Sequence, residues 1–135
     1  MTLTINGYLL KDDSNIIGVA DSKEVSSWKV RSIPDTIMYA FDYRKTDKGL
    51  GGRYTYIKDV SMHIYYTESE CSLEEAEASV VDKLYGTMEV DVRNVGYSEY
   101  TITGYNLEEF TIGGHNLSYE LESHLGEYCW IVIEE

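Results

Sequence analysis

Proline is nearly absent. Pro34 is the only one among 135 residues, and no stretch rich in Pro, Gly or Ser divides the chain. A linker between domains is therefore not expected, and 1–135 reads as a single globular domain. Cysteine is scarce as well. Cys71 and Cys129 are too few and too far apart for a disulfide framework or a zinc ribbon. No apolar run approaches the roughly 18 residues of a membrane span. The stretch "MTLTINGYLLKDD" has neither a basic leader nor a long apolar segment, so no signal peptide is expected. Together these absences predict a cytoplasmic protein with reduced thiols, in which Asn116-Leu117-Ser118 carries no meaning as a glycosylation acceptor.

The usual catalytic signatures are missing too. There is no G-x-S-x-G elbow and neither of the glycine-rich phosphate motifs. Asp12-Asp13-Ser14-Asn15 starts like a calcium loop but lacks its glycine and closing glutamate at the required spacing. His115 and His124 are nine positions apart and Cys129 lies in an apolar run, which is not a zinc-ligand pattern. Cys71 precedes a helix start that would activate a thiol, yet Glu68 and Glu70 work in the opposite direction. Neighbouring carboxylates such as Glu74/Glu75 and Glu108/Glu109 diverge on a helix and make no acid–base dyad. The expectation is a non-enzyme with no catalytic residues, no metal and no cofactor.

Cations are the most telling shortage. Residues 1–67 hold nine Lys/Arg against eight Asp/Glu, whereas residues 68–135 hold only Lys83 and Arg93 against sixteen Asp/Glu. The halves thus carry +1 and −14, which sum to the formal −13. Direct binding to DNA or RNA is disfavoured, because phosphate neutralisation needs a basic surface. A basic protein partner fits, above all a nuclease or other protein that handles nucleic acid, since rows of carboxylates present charge much as phosphates do. The expected contact residues are Glu74, Glu75, Glu77, Asp82, Glu89, Asp91, Glu99, Glu108 and Glu109, with Tyr97, Tyr100 and Tyr105 as aromatic anchors. Thirteen tyrosines against two phenylalanines suit half-wet sheet faces of this kind. The bland alternative is a solvated acidic face. Two other functions stay open. The loop 44–53, with Arg44, Lys45, Lys48 and Arg53 around three glycines, would serve a phosphate- or nucleotide-binding module. A homo-oligomer would set the mildly basic half of one copy against the acidic half of the next.

The pattern of residues predicts an α+β fold: an antiparallel or mixed sheet of six to eight strands, a main helix at about 72–85 and a short helix at about 117–125. The main helix is argued from Ser72 and Glu75 as a capping box, an apolar stripe Leu73, Ala76, Val80, Leu84, and Gly86 as its stop. The short helix rests on Asn116 as N-cap and Leu117, Leu121, Leu125. Strands are expected at 27–33, 36–44 and 53–68, where Val60, Met62, Ile64 and Tyr66 share one face. In 87–93, Met88, Val90 and Val92 point inward and Glu89, Asp91 and Arg93 outward. After an "NVG" turn, 97–105 returns, and 106–110 reads as one helical turn. Asn6-Gly7 marks either a hairpin turn or a bulged strand. The run 128–133 is apolar on both faces and should be a covered interior strand.

Overall fold

The computed structural model describes residues 1–41, 53–79, 81–97 and 100–135, with side chains described except at 53, 54, 81, 92–97 and 100–109. One antiparallel sheet of eight strands dominates. The strands are β1 (Thr2–Lys11), β2 (Ile17–Ala20), β3 (Arg31–Ser32), β4 (Arg53–Thr67), β5 (Val81–Tyr97), β6 (Tyr100–Ile112), β7 (His115–Asn116) and β8 (Tyr128–Glu134), in the order β3-β2-β1-β8-β4-β5-β6-β7. The helices are short: α1 (Ile33–Ala40), α2 (Leu73–Ala76) and α3 (Leu117–Glu122). The architecture is α+β and mostly sheet. Among the described residues, no helix is long and apolar enough to cross a membrane.

Strand alternation builds the core. In β4, Val60, Met62, Ile64 and Tyr66 are buried on one face as expected. Cys129, Ile131 and Ile133 of β8 stand opposite Tyr66, Ile64 and Met62. Ile5 and Leu9 of β1 and Val19 of β2 extend this layer. Ile33, Ile37 and Met38 of α1 and Leu117 and Leu121 of α3 cover it. α3 touches both β2 and β6. In a flat sheet, strands five places apart would be separated by about 24 Å, so the sheet curls around this helix.

Several local expectations are corrected. The main helix at 72–85 is reduced to one turn. Its N-cap is as expected, with the Glu75 amide donating to Ser72 Oγ at 3.2 Å, but the Glu75 carboxylate accepts from the Ser72 hydroxyl at 3.1 Å rather than from the backbone amide that a capping box would use. From Val81, however, the chain becomes β5 and pairs with β4 over thirteen consecutive positions, Tyr65↔Val81 to Arg53↔Arg93. Leu84 ends the helical spacing Ala76, Val80, Leu84 but equally starts the period of two that Met88 and Val90 continue, and the long ladder against β4 decides between them. The strand expected at 36–44 is α1. Ser32 caps it by accepting from the Asp35 amide at 3.2 Å, and Pro34 occupies the first turn, where its fixed φ suits a helix start rather than a β-turn. Residues 42–44 lie outside the described residues. The strand at 27–33 resolves into a 3-10 turn, Ser27–Lys29, and two-residue β3.

Asn6-Gly7 is no hairpin, because β1 pairs with β8 through Gly7↔Cys129 without a shift. Residues 94–96 are strand, pairing with 101–103, rather than a turn. Residues 106–110 belong to β6 instead of a helical turn, and Phe110 is fully buried. The short helix stops at Glu122, which leaves Leu125 exposed. β8 lies inside the sheet, but only the face bearing Cys129, Ile131 and Ile133 is fully covered; Trp130 and Val132 are half-buried.

Candidate functional site

The two faces of the sheet differ. α1 and α3 cover one. On the other, the segment 67–79 with α2 lies across one end of the sheet, over β4 and β8. It is pinned there by two contacts. Trp130 Nε1–H donates to the Cys71 carbonyl at 2.9 Å, and the Glu70 amide donates to Tyr8 Oη at 3.2 Å. Ala76 is wholly buried beneath α2, against β4 and β8.

Beyond α2, among the described residues of β4 and β5, the face is open. At the level of His63 it runs Thr4, Val132, His63, Lys83 from β1 to β5. One step along come Thr2, Glu134, Ser61 and Tyr85, then Asp59 with Thr87, then Ile57 with Glu89. His63 stacks along β4 with Tyr65, 6.4 Å between ring centroids, and meets the Tyr85 ring edge-on at 5.9 Å. Tyr85 Oη lies 3.4 Å from His63 Nε2. Ile57 and Tyr85 are 59% and 56% exposed. Eight residues separate Tyr65 from Ile57, so this strip is about 27 Å long.

The acidic residues fall into separate groups. Glu74, Glu75 and Glu77 are exposed on and beside α2, and Glu68 and Glu70 are exposed just before it. None of the five pairs with a cation among the described residues; the first-half cations Lys11 and Lys58 are taken by Glu122 and Glu135 instead. Glu89 is exposed on the same open face, at its far end. Asp82, opposite Ile64, belongs to the covered face and so departs from the group. Asp91 is a correction. It was expected to point into solvent, but it is 7% exposed. The pairing jumps there from Glu89↔Thr111 to Asp91↔Asn106, so two steps on β5 oppose five on β6. That bulge breaks the simple alternation from which exposure was inferred. Tyr97, Tyr100 and Tyr105 lie on β5 and β6, and Glu108 and Glu109 within β6 near this bulge. Glu99, Arg44, Lys45 and Lys48 lie outside the described residues, and Arg53 opens β4.

Sequence reasoning missed Asp59, Glu134, Ile57 and Tyr85 as members of this face. The alternation of β4 already set Ser61, His63 and Tyr65 on it, and carrying that period back would have added Asp59 and Ile57. Tyr85 was hidden by its assignment to a helix.

A second cluster lies on the covered face. The Tyr66 ring stacks on His124 with centroids 3.5 Å apart, and His124 Nδ1 sits 2.5 Å from Glu127 Oε2. Among the described residues the buried Tyr66 hydroxyl has no partner in good hydrogen-bond geometry, although the Asp82 carboxylate stands near enough to interact with it. Burial raises its pKa well above the usual 10, and the Asp82 carboxylate adds to this electrostatically. Replacing Tyr66 with phenylalanine removes an unsatisfied polar atom and keeps the stack. It should leave stability unchanged or raise it by about 1 kcal/mol, read from thermal unfolding at neutral pH. A phenol held more tightly protonated in the folded state stabilises fully below pH 10 and less as pH rises above it. The variant should therefore also resist alkaline unfolding better than the parent. A loss above about 1 kcal/mol would show that the hydroxyl has a partner after all.

His115 Nδ1 is 3.4 Å from Glu120 Oε1, separate from the His124–Glu127 pair. Among the described residues no three His, Cys, Asp or Glu side chains converge as a metal site. Burial pushes the Cys129 thiol up to about 12, which makes it a small apolar core group rather than a nucleophile. Compared with family models, curated proteins and solved structures, the chain matches none of them.

Proposed function

We propose that this chain is a non-enzymatic binding protein that blocks a basic partner, and that the partner is itself a protein that handles nucleic acid. Phage counter-defence proteins of the anti-CRISPR kind and immunity proteins against nucleases are the settings in which such a device works. One observation carries the reading. Glu68, Glu70, Glu74, Glu75 and Glu77 place five exposed carboxylates within ten residues, with no cationic partner among the described residues, on a segment held to the sheet by Trp130 and Tyr8. Held carboxylates lose less conformational entropy on binding than those of a loose tail. Their uncompensated field steers a cationic surface toward them and repels DNA.

The test is inhibition of a panel of purified basic nucleases, titrated at about 50 and 200 mM salt. At least one should be inhibited, with affinity falling about tenfold or more over that range. The triple variant Glu74→Gln, Glu75→Gln, Glu77→Gln should lose about tenfold at the lower salt, since each rim charge contributes modestly and the three act together. If no nuclease is inhibited, or inhibition ignores both salt and the triple variant, the reading is wrong.

A further inference from the structure

β3 ends one side of the sheet with two residues, and β7 ends the other with two. β7 pairs with β6 only through Thr111 and Ile112. From Tyr100 to Asn106, β6 has no strand on its outer side among the described residues. On its inner side this stretch pairs with Tyr97 to Asp91 of β5 without a break. β8 leaves β4 at Ser61, opposite Tyr85, so these residues also lie past the ends of β1 and β8.

A free edge of this length is about 23 Å of backbone donors and acceptors with no ladder partner. Folded proteins usually blunt such an edge with lysine, proline, a bulge or brevity. The run "YTITGYN" (100–106) uses none of these. It holds no charge and no proline, its register is unbroken, and its Tyr, Thr and Ile favour strands. We infer that this edge pairs with the same edge of a second copy, antiparallel about a two-fold axis, so that two chains share one continuous sheet.

Charge selects a second copy over a basic partner at this place. Past the level Thr55–Asp91–Asn106, the stretches 53–55, 91–97 and 100–106 hold Arg53, Asp91 and Arg93 as their only charged residues. This part is nearly neutral in a chain of formal charge −13. Two copies repel elsewhere, but here their edges meet without like charges opposed. A cationic strand would find no carboxylate on 100–106 to draw it. Identical edges related by a two-fold axis close on each other, so assembly stops at a dimer. An axis that relates antiparallel neighbours stands normal to the sheet. Both open faces, each with its acidic segment 68–77, therefore look the same way. The dimer does not depend on the binding role.

Sedimentation velocity of the full chain, over roughly a hundredfold range of concentration, tests this. Monomer should give way to a species of twice its mass. The dimer should tighten as salt rises from about 50 to about 500 mM, because the carboxylates around the edge are then screened. Thr101→Lys, Thr103→Lys and Thr101→Glu, Thr103→Glu each set like charges opposite one another in the dimer. Each double variant should weaken dimerisation about tenfold or more. Mixing the two should restore it as a heterodimer, which also shows that both fold. In the unaltered chain, hydrogen exchange at 100–106 should slow as concentration rises. A monomer under all conditions overturns the inference and leaves the binding role untouched. So do larger assemblies that dissolve as salt rises, the sign of basic half against acidic half. A dimer in which 100–106 gain no protection, or in which both variants pair as tightly as the parent, has its interface elsewhere and overturns it too.

Discussion

Replacing Gly113 with alanine should cost about 3 kcal/mol or more, whereas the same change at its neighbour Gly114 should cost about 1. Both residues have positive φ, +57° and +83°, in the two-residue loop that joins β6 to β7. An alanine pays for the left-handed conformation at either site. The difference lies in the surroundings. A Cβ on Gly113 would stand 2.0 Å from the Tyr85 carbonyl oxygen, while a Cβ on Gly114 meets nothing within 4 Å. The obstructing atom is backbone in the middle of β5, fixed by the Ser61↔Tyr85 pairing, and the Gly113 amide donates to the next carbonyl but one, Thr87, at 3.0 Å. Neither side can yield without breaking ladder bonds. Urea unfolding should show the midpoint falling by about 1.5 M for Gly113→Ala and by about a third of that for Gly114→Ala, with unchanged slope. Equal shifts would mean that the hairpin does not pack on β5 as described.

That contact also explains what could be read from the residues and what could not. The Asn116 cap, the alternation of Val60 to Tyr66, the Ser72 cap and the placing of 128–133 inside the sheet were all legible, because each depends on a few adjacent residues. Asn116 Oδ1 accepts from the Tyr119 amide at 2.9 Å, as its position before Leu117 implied. The failures share a different cause. Residues 81–86 form a strand because β4 lies alongside, and no local signal reports a neighbour from twenty residues away. Gly86 looked like a helix stop. It is instead a strand residue opposite Val60, with the Gly113 hairpin packed against it. Proline fits both a β-turn and the first turn of a helix, so Pro34 does not discriminate; the buried Ile37 and Met38 decide for α1.

The candidate surface was half legible for the same reason. Clustering of Glu74, Glu75 and Glu77 follows from sequence adjacency alone. Grouping them with Asp82 and Asp91 assumed that one stretch of chain keeps one face. The turn from α2 into β5 sends Asp82 to the covered face, and the bulge beside Asp91 leaves that carboxylate buried. Conversely, Asp59 and Glu134 reach the open face through strand pairings that only the sheet order reveals.

Replacing Trp130 with alanine should both destabilise the fold and release the acidic segment, at a cost of about 3 kcal/mol. The ring stands on the open face between Asn6 of β1 and Tyr65 of β4, and its Nε1–H is tied to the Cys71 carbonyl. Alanine removes the packing and the hydrogen bond together. Phenylalanine keeps most of the packing and should cost only about 1 kcal/mol, since the freed Cys71 carbonyl lies in a half-exposed place where water can serve it. Hydrogen exchange separates the two effects. The Ala76 and Glu77 amides donate to the Ser72 and Leu73 carbonyls in the single turn of α2, and a helix of four residues has no stability of its own. Their protection must therefore come from the seat on the sheet, of which Trp130 is the main part. Trp130→Ala should abolish protection there while the amides of β1 and β4 stay protected, and Trp130→Phe should only reduce it. Unchanged protection at Ala76 and Glu77 in the alanine variant would mean that Tyr8 and the buried Ala76 hold the segment without the indole, and the carboxylates of 68–77 would then owe their fixed position to a different contact.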